Sequence, residues 1–265
     1  MSQSTARSPE SVLWSQATWP QRLAWWRELQ TARHPYRFSF RYFDLWDLLK
    51  LHRYIHRQLP LAPAELCLTR ACQDEYETLK DLLRPRPQPT LVMDFGCGTG
   101  RSSIFFKHRM GWEQTKFLLV DGQQAVYGEK SNMTTLQGGF TANGDDLSQS
   151  FYTDFDLLDR FVLSNGLRQY NLIDLSTEAN RLTTIRGVDV FYSFHAVGWH
   201  YDPATVFETY QLWDVVRPGG LVILGIRSPN ENGHPLPLDA FWTHGYRALQ
   251  RLSGQRKQDF LILQR

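Results

Sequence analysis

The chain has 265 residues and a net charge of +2, with 42% hydrophobic, 14% aromatic and 21% charged residues. That length fits one large α/β domain, and the composition excludes a disordered or collagenous chain. No apolar run approaches the ~20 residues of a membrane helix; the longest clean one covers residues 221–226. The N-terminal MSQSTARSPESV is polar and lacks the apolar stretch of a signal peptide. Three cysteines (Cys67, Cys72, Cys97) build no even disulfide framework and match no zinc spacing. The expectation is a reducing, cytoplasmic setting, with no metal and no membrane. Charge is uneven, because residues 1–60 carry nine Lys/Arg against four acids, +5, and the remainder carries −3. A solvated helical face explains that excess more simply than an anionic partner does.

Taken in chain order, residues 1–12 read as a flexible N-terminus and 13–84 as a helical cap. Pro20 stands at a first helical position, with Trp25, Trp26 and Leu29 on one side. Leu45, Leu48, Ile55 and Leu59 form a second stripe that Pro60 stops, and Leu68, Cys72, Tyr76, Leu79 and Leu83 form a third. Residues 85–89 (Pro-Arg-Pro-Gln-Pro) read as a stiff linker. From residue 90 to 265 the rhythm becomes strand, helix, strand. Strands are expected over 90–95, 116–120, 171–175, 188–194 and 221–226, with helices over 101–108, 155–163 and 204–216. This alternation predicts a doubly wound parallel sheet. Residues 246–252 and 259–264 leave no room for a helix between them and should pair antiparallel.

The sharpest signal is LVMDFGCGTG, where an apolar strand runs into Gly96, Gly98 and Gly100 and a helix opens at once. A nicotinamide-binding loop would read G-x-G-x-x-G, and Arg101 occupies the place of its third glycine. Asp94, two residues before Gly96, would repel a pyrophosphate and suit a ligand with a cationic amino-acid end. Asp121 closes the next strand about 20 residues past the loop, where an acid grips ribose hydroxyls.

The segments DFGCGTG, LLVDG and VVRPGG before LVILGI resemble those of the class I S-adenosylmethionine-dependent methyltransferases, over roughly residues 90–265. The resemblance implies a Rossmann-like sheet of seven strands in the order 3-2-1-4-5-7-6, the seventh reversed. It implies S-adenosylmethionine as cofactor, with Asp94, Gly96, Gly98 and Gly100 along its methionine end and Asp121 on its ribose. Asp174 matches the acid facing the adenine amino group, and Ser193 the fourth-strand residue beside the cofactor. Residues 217–220 match the turn feeding the fifth strand. The spacing from Asp121 to Asp174 exceeds that of simple members and implies an insertion around residues 138–146.

Methyl transfer to a hydroxyl needs a base, for which histidine suits neutral pH. The loop after the fourth strand carries His195 and His200, and His200 is the first choice, with Asp202 to orient it. The loop is also similar, over about 20 residues, to a pattern in sugar O-methyltransferases. Arg227 could meet an anionic substrate group, and His234 lies in a Pro-rich loop. The expected activity is methylation of a small-molecule acceptor, with a hydroxyl, such as that of a sugar, favoured. The alternatives are an RNA methyltransferase, suggested by the Arg and aromatic mixture of residues 19–57, and a non-catalytic scaffold subunit.

Overall fold

The computed structural model describes residues 20, 38–44, 46–47, 64–122, 154–198, 201–227, 238–254 and 258–265. Seven strands are β1 (Leu91–Phe95), β2 (Lys116–Asp121), β3 (Tyr170–Asp174), β4 (Val188–Ser193), β5 (Val216–Arg227), β6 (Arg247–Ser253) and β7 (Gln258–Gln264). They form one sheet in the order β3-β2-β1-β4-β5-β7-β6. Strands β1 to β5 pair in parallel, and β7 runs antiparallel to both β5 and β6. This is the seven-stranded Rossmann-like order that the resemblance implies, with its reversed seventh strand.

Helices α1 (Ala64–Leu83), α2 (Arg101–Met110), α3 (Phe155–Ser164), α4 (Pro203–Thr209) and α5 (Leu238–Thr243) cover the sheet. A sheet covered on both faces has strands apolar on both faces, as in the buried FLLV of β2. Alternate side chains divide between two cores. Val92, Val190 and Tyr192 pack with Tyr76, Phe105 and Phe161 of α1, α2 and α3. Met93, Phe95 and Phe191 pack with Phe207 and Phe241 of α4 and α5. Helix α3 starts at Asp154, whose carboxylate accepts the Leu157 N–H at 3.1 Å.

The N-terminal portion is bound into this body where it is described. Cys72, Tyr76, Leu79 and Leu83 of α1 are buried in the first core, on the stripe read from the sequence. Phe38 stacks on Phe161 at 5.4 Å, Ser39 N–H donates to Asn165 Oδ1 at 2.7 Å, and Arg160 meets Asp47 at 2.7 Å. Around the linker, the Pro89 carbonyl accepts from Thr115 Oγ1, and Asp189 of β4 accepts the Thr90 and Leu91 amides. The stripes before residue 64 lie almost wholly outside the described residues.

Three elements differ from the periodicity. The helix expected over 204–216 stops at Thr209, because Gln211 adopts φ 53°, and a 3-10 turn (Leu212–Asp214) then leads into β5. Reversing the chain toward β5 requires that break. Second, β5 begins before the Pro-Gly-Gly turn rather than after it. Val216 pairs with Val188 and Leu221 with Val190, so the turn loops out as a bulge held by Arg265. Third, α5 has no stripe long enough to read, since Phe241 is its only fully buried large residue.

Candidate functional site

The carboxyl ends of β1, β2, β3 and β4 lie side by side, and the glycine loop crosses them. Gly96, Gly98 and Gly100 all take positive φ, at 75°, 55° and 69°, a region other residues enter only at a cost. Gly96 and Gly98 are half-exposed while Cys97, Thr99 and Gly100 are buried, so the loop's outer face is bare backbone. A Cβ on Gly100 would lie 2.9 Å from Val162 and 3.0 Å from Leu158, which brings α3 tight against the loop.

Four of the loop's amides are spent within the protein, three of them on the end of β2. Gly96 and Cys97 N–H donate to the Val120 carbonyl at 2.8 and 3.1 Å, Gly98 N–H to Asp121 Oδ2 at 2.6 Å, and Gly100 N–H to the Cys97 carbonyl at 2.8 Å. A pyrophosphate-binding loop offers such groups to its ligand. Here the ligand side presents backbone flanked by a carboxylate. Helix α2 opens from Gly100 without a side-chain cap.

Asp121 is buried at the end of β2, with Oδ1 accepting the Gly122 amide at 2.8 Å. Asp174 is its register partner on β3, so both acids stand at one level. Asp174 also serves its own turn, accepting from Ser176 N–H at 2.9 Å and Oγ at 2.7 Å. Ser193 ends β4 fully buried, and its Oγ accepts the Val197 amide at 2.9 Å. Asp94 lies beneath the loop, taking the Ser103 hydroxyl at 2.8 Å while Ser103 also meets Tyr192 at 2.6 Å. Burial drives the Asp94 carboxyl up to about 7, against the Ser103 bond and helped by the charge of Glu75.

The loop after β4 is pinned from several sides. Phe194 O accepts Gln258 Nε2 at 2.6 Å, Tyr201 N–H reaches Ala196 O at 3.2 Å, and Gly198 N–H reaches Tyr201 O at 2.8 Å. His195 is thereby held beside the glycine loop, with its side chain 43% exposed. Its Nε2 lies 3.0 Å from Glu75 Oε1 of α1. Glu75 Oε1 also accepts Arg101 Nη2 at 2.7 Å, and Oε2 accepts the Ser102 hydroxyl at 2.7 Å. Burial pushes Glu75 upward, but the Arg101 guanidinium and the His195 hydrogen bond outweigh it and hold the carboxyl at about 2.

Of the candidate base residues, His195 has this partner, whereas His200, Trp199 and His234 lie outside the described residues. So does the expected insertion around 138–146. Asp202, expected to orient His200, caps α4 through the Thr205 amide and hydroxyl, each at 2.8 Å. Sequence reasoning missed Glu75 and the part played by Arg101. Glu75 adjoins Tyr76 on the buried stripe, and an acid on an apolar stripe is the signal that could have found it. Among the described residues no group of three or more His, Cys, Asp or Glu could hold a metal, and no helix is long and apolar enough to cross a membrane.

The sheet order and the glycine loop define a Rossmann-like architecture. No family model and no curated protein matches the chain. The fold is similar to that of an S-adenosylmethionine-dependent methyltransferase from Aquifex aeolicus, at 13% identity and a TM-score of 0.45, covering 74% of this chain and 95% of that one. It is similar to fibrillarin from Aeropyrum pernix, solved with S-adenosylmethionine natively bound, at 10% identity, TM-score 0.46, 73% and 74%. For a Pyrococcus horikoshii protein described as a transferase the figures are 13% identity, TM-score 0.42 and 72% of this chain. The match spans 63% of that protein's length. At such identities the likeness concerns fold alone, and the site stands on this chain's own residues.

Proposed function

We propose that this chain is an S-adenosylmethionine-dependent methyltransferase acting on the hydroxyl of a small molecule, a sugar being one such acceptor. The observation carrying the reading is the glycine loop, where the Gly96, Cys97, Gly98 and Gly100 amides are taken by Val120, Asp121 and Cys97 while two acids stand at the adjoining strand ends. A pyrophosphate there would meet those carboxylates as like charges. A cationic ligand bearing ribose hydroxyls fits that arrangement, because carboxylates accept from both ammonium and hydroxyl groups.

In this reading Gly96, Gly98 and Gly100 give backbone close to the methionine end, with Asp94 beneath it. Asp121 holds the ribose, Asp174 faces the adenine, and Ser193 lines the floor. When bound, the cofactor supplies a methyl group on a cationic sulfur that departs as a neutral thioether. His195 then takes the proton of the acceptor hydroxyl, and Glu75 stands behind it. Helix α1 supplies Glu75.

The test is a screen with methyl-labelled S-adenosylmethionine against phenols, sugars, amines and RNA. Label in a phenol or sugar is expected. Label in amines or RNA alone would overturn the hydroxyl assignment, and cofactor binding without transfer to any class would favour a scaffold role.

A further inference from the structure

We propose that Glu75 of α1 is a positioning residue that fixes which nitrogen of His195 receives the acceptor's proton; the inference rests on the methyltransferase reading above. The geometry is asymmetric, with the Glu75 side chain only 2% exposed and that of His195 43% exposed. The pair therefore joins the protein interior to the surface beside the glycine loop.

An ionised carboxylate accepts hydrogen bonds and donates none. Arg101 and Ser102 both donate to Glu75, and the Arg101 ion pair keeps it ionised. The hydrogen in the 3.0 Å contact with His195 must then belong to Nε2. A neutral imidazole with hydrogen on Nε2 carries its basic lone pair on Nδ1. Nδ1 is thus the atom that takes the proton from an acceptor hydroxyl, giving an imidazolium still bonded to Glu75 through Nε2.

Arg101 decides what kind of help Glu75 gives. Its guanidinium already balances the carboxylate charge, so the cluster offers the imidazolium little net negative charge. Orientation and tautomer choice are the main contributions. A packing role alone would be complete with Arg101 and Ser102, since the half-exposed imidazole adds little buried surface.

The experiment combines imidazole ¹⁵N NMR of the full-length protein at pH 8 with kinetics. His195→Gln, which leaves the Glu75–Arg101 pair in place, assigns the His195 signals. The wild type should show hydrogen on Nε2, and Glu75→Gln should give a mixture of tautomers. On the hydroxyl acceptor from the screen, Glu75→Gln should lose about tenfold or more in kcat with the cofactor KM unchanged, as misoriented bases do. Hydrogen on Nδ1 in the wild type overturns the proposal, and needs no variant to fold. Unchanged kcat in Glu75→Gln also overturns it while leaving the methyltransferase reading intact. Failure of the wild type to bind S-adenosylmethionine removes that reading, and the proposal with it.

Discussion

Gly96 and Ala196 meet across the ends of β1 and β4: a Cβ built on Gly96 would lie 2.3 Å from the Ala196 Cβ. The contact seats the post-β4 turn on the glycine loop and brings His195, one residue earlier, to the same place. Gly96→Ala should force the two apart and lower stability by about 1–3 kcal/mol, the usual range for overpacking. Cofactor affinity should fall with it, and Ala196→Gly should restore part of both. Urea denaturation and calorimetry on the single and double variants check this. An unaltered midpoint in Gly96→Ala would mean that loop and turn are independent.

Asp121 anchors the loop through Gly98 and, in the proposed site, accepts the ribose hydroxyls. Removing it leaves polar groups without partners in a buried site, at about 1–3 kcal/mol. Asp121→Ala should weaken S-adenosylmethionine binding by roughly 5–150-fold. Asp121→Asn should lose less, because one oxygen remains to accept. Equal affinity in all three proteins would take the ribose away from β2.

Asp94 should leave a pH signature in stability. Its folded-state value of about 7 lies above the ordinary 3.8, so the folded protein keeps a proton that the unfolded chain releases between those values. Stability from this group is present below 3.8 and declines as pH rises through 7. Asp94→Asn, which can still accept from Ser103, should therefore gain on the wild type by a few kcal/mol, on the order of the linked pKa difference, at pH 8 relative to pH 4. Thermal unfolding at the two pH values gives the difference, and a constant offset would contradict the buried neutral acid.

The buried ion pair is expected to be costly to break rather than valuable to keep. Arg101→Gln leaves Glu75 uncompensated and should destabilise the protein by about 3–5 kcal/mol. Glu75 itself, held at about 2 against an ordinary 4.5, stabilises the fold above 4.5, and this is lost as pH falls toward 2. Acid unfolding of the wild type should steepen in that window, and Arg101→Gln should flatten it.

Much of the fold is legible in the chain because a parallel sheet writes itself as separate apolar runs. LVMDF and KFLLVD can be little else, and the glycines between β1 and α2 fix the order of events. The acids at 94, 121 and 174 are legible for the same reason, since Asp121 and Asp174 close their strands and Asp94 stands one residue before the end of β1. Glu75 is not, because its importance comes from Arg101 and His195, which lie 26 and 120 residues away in the chain. Gln211 is equally silent, as nothing local marks a left-handed glutamine. Asp202 has a local role that is legible from its place directly before Pro203, its carboxylate capping α4.

The central claim is that the glycine loop and the strand-end acids hold S-adenosylmethionine. Isothermal titration calorimetry of the full-length protein with S-adenosylmethionine, its demethylated product and NADH tests this most directly. The account predicts saturable binding of the first two at one site per chain, weakened by Asp121→Ala, and no binding of NADH. Binding of NADH with neither of the others would contradict it.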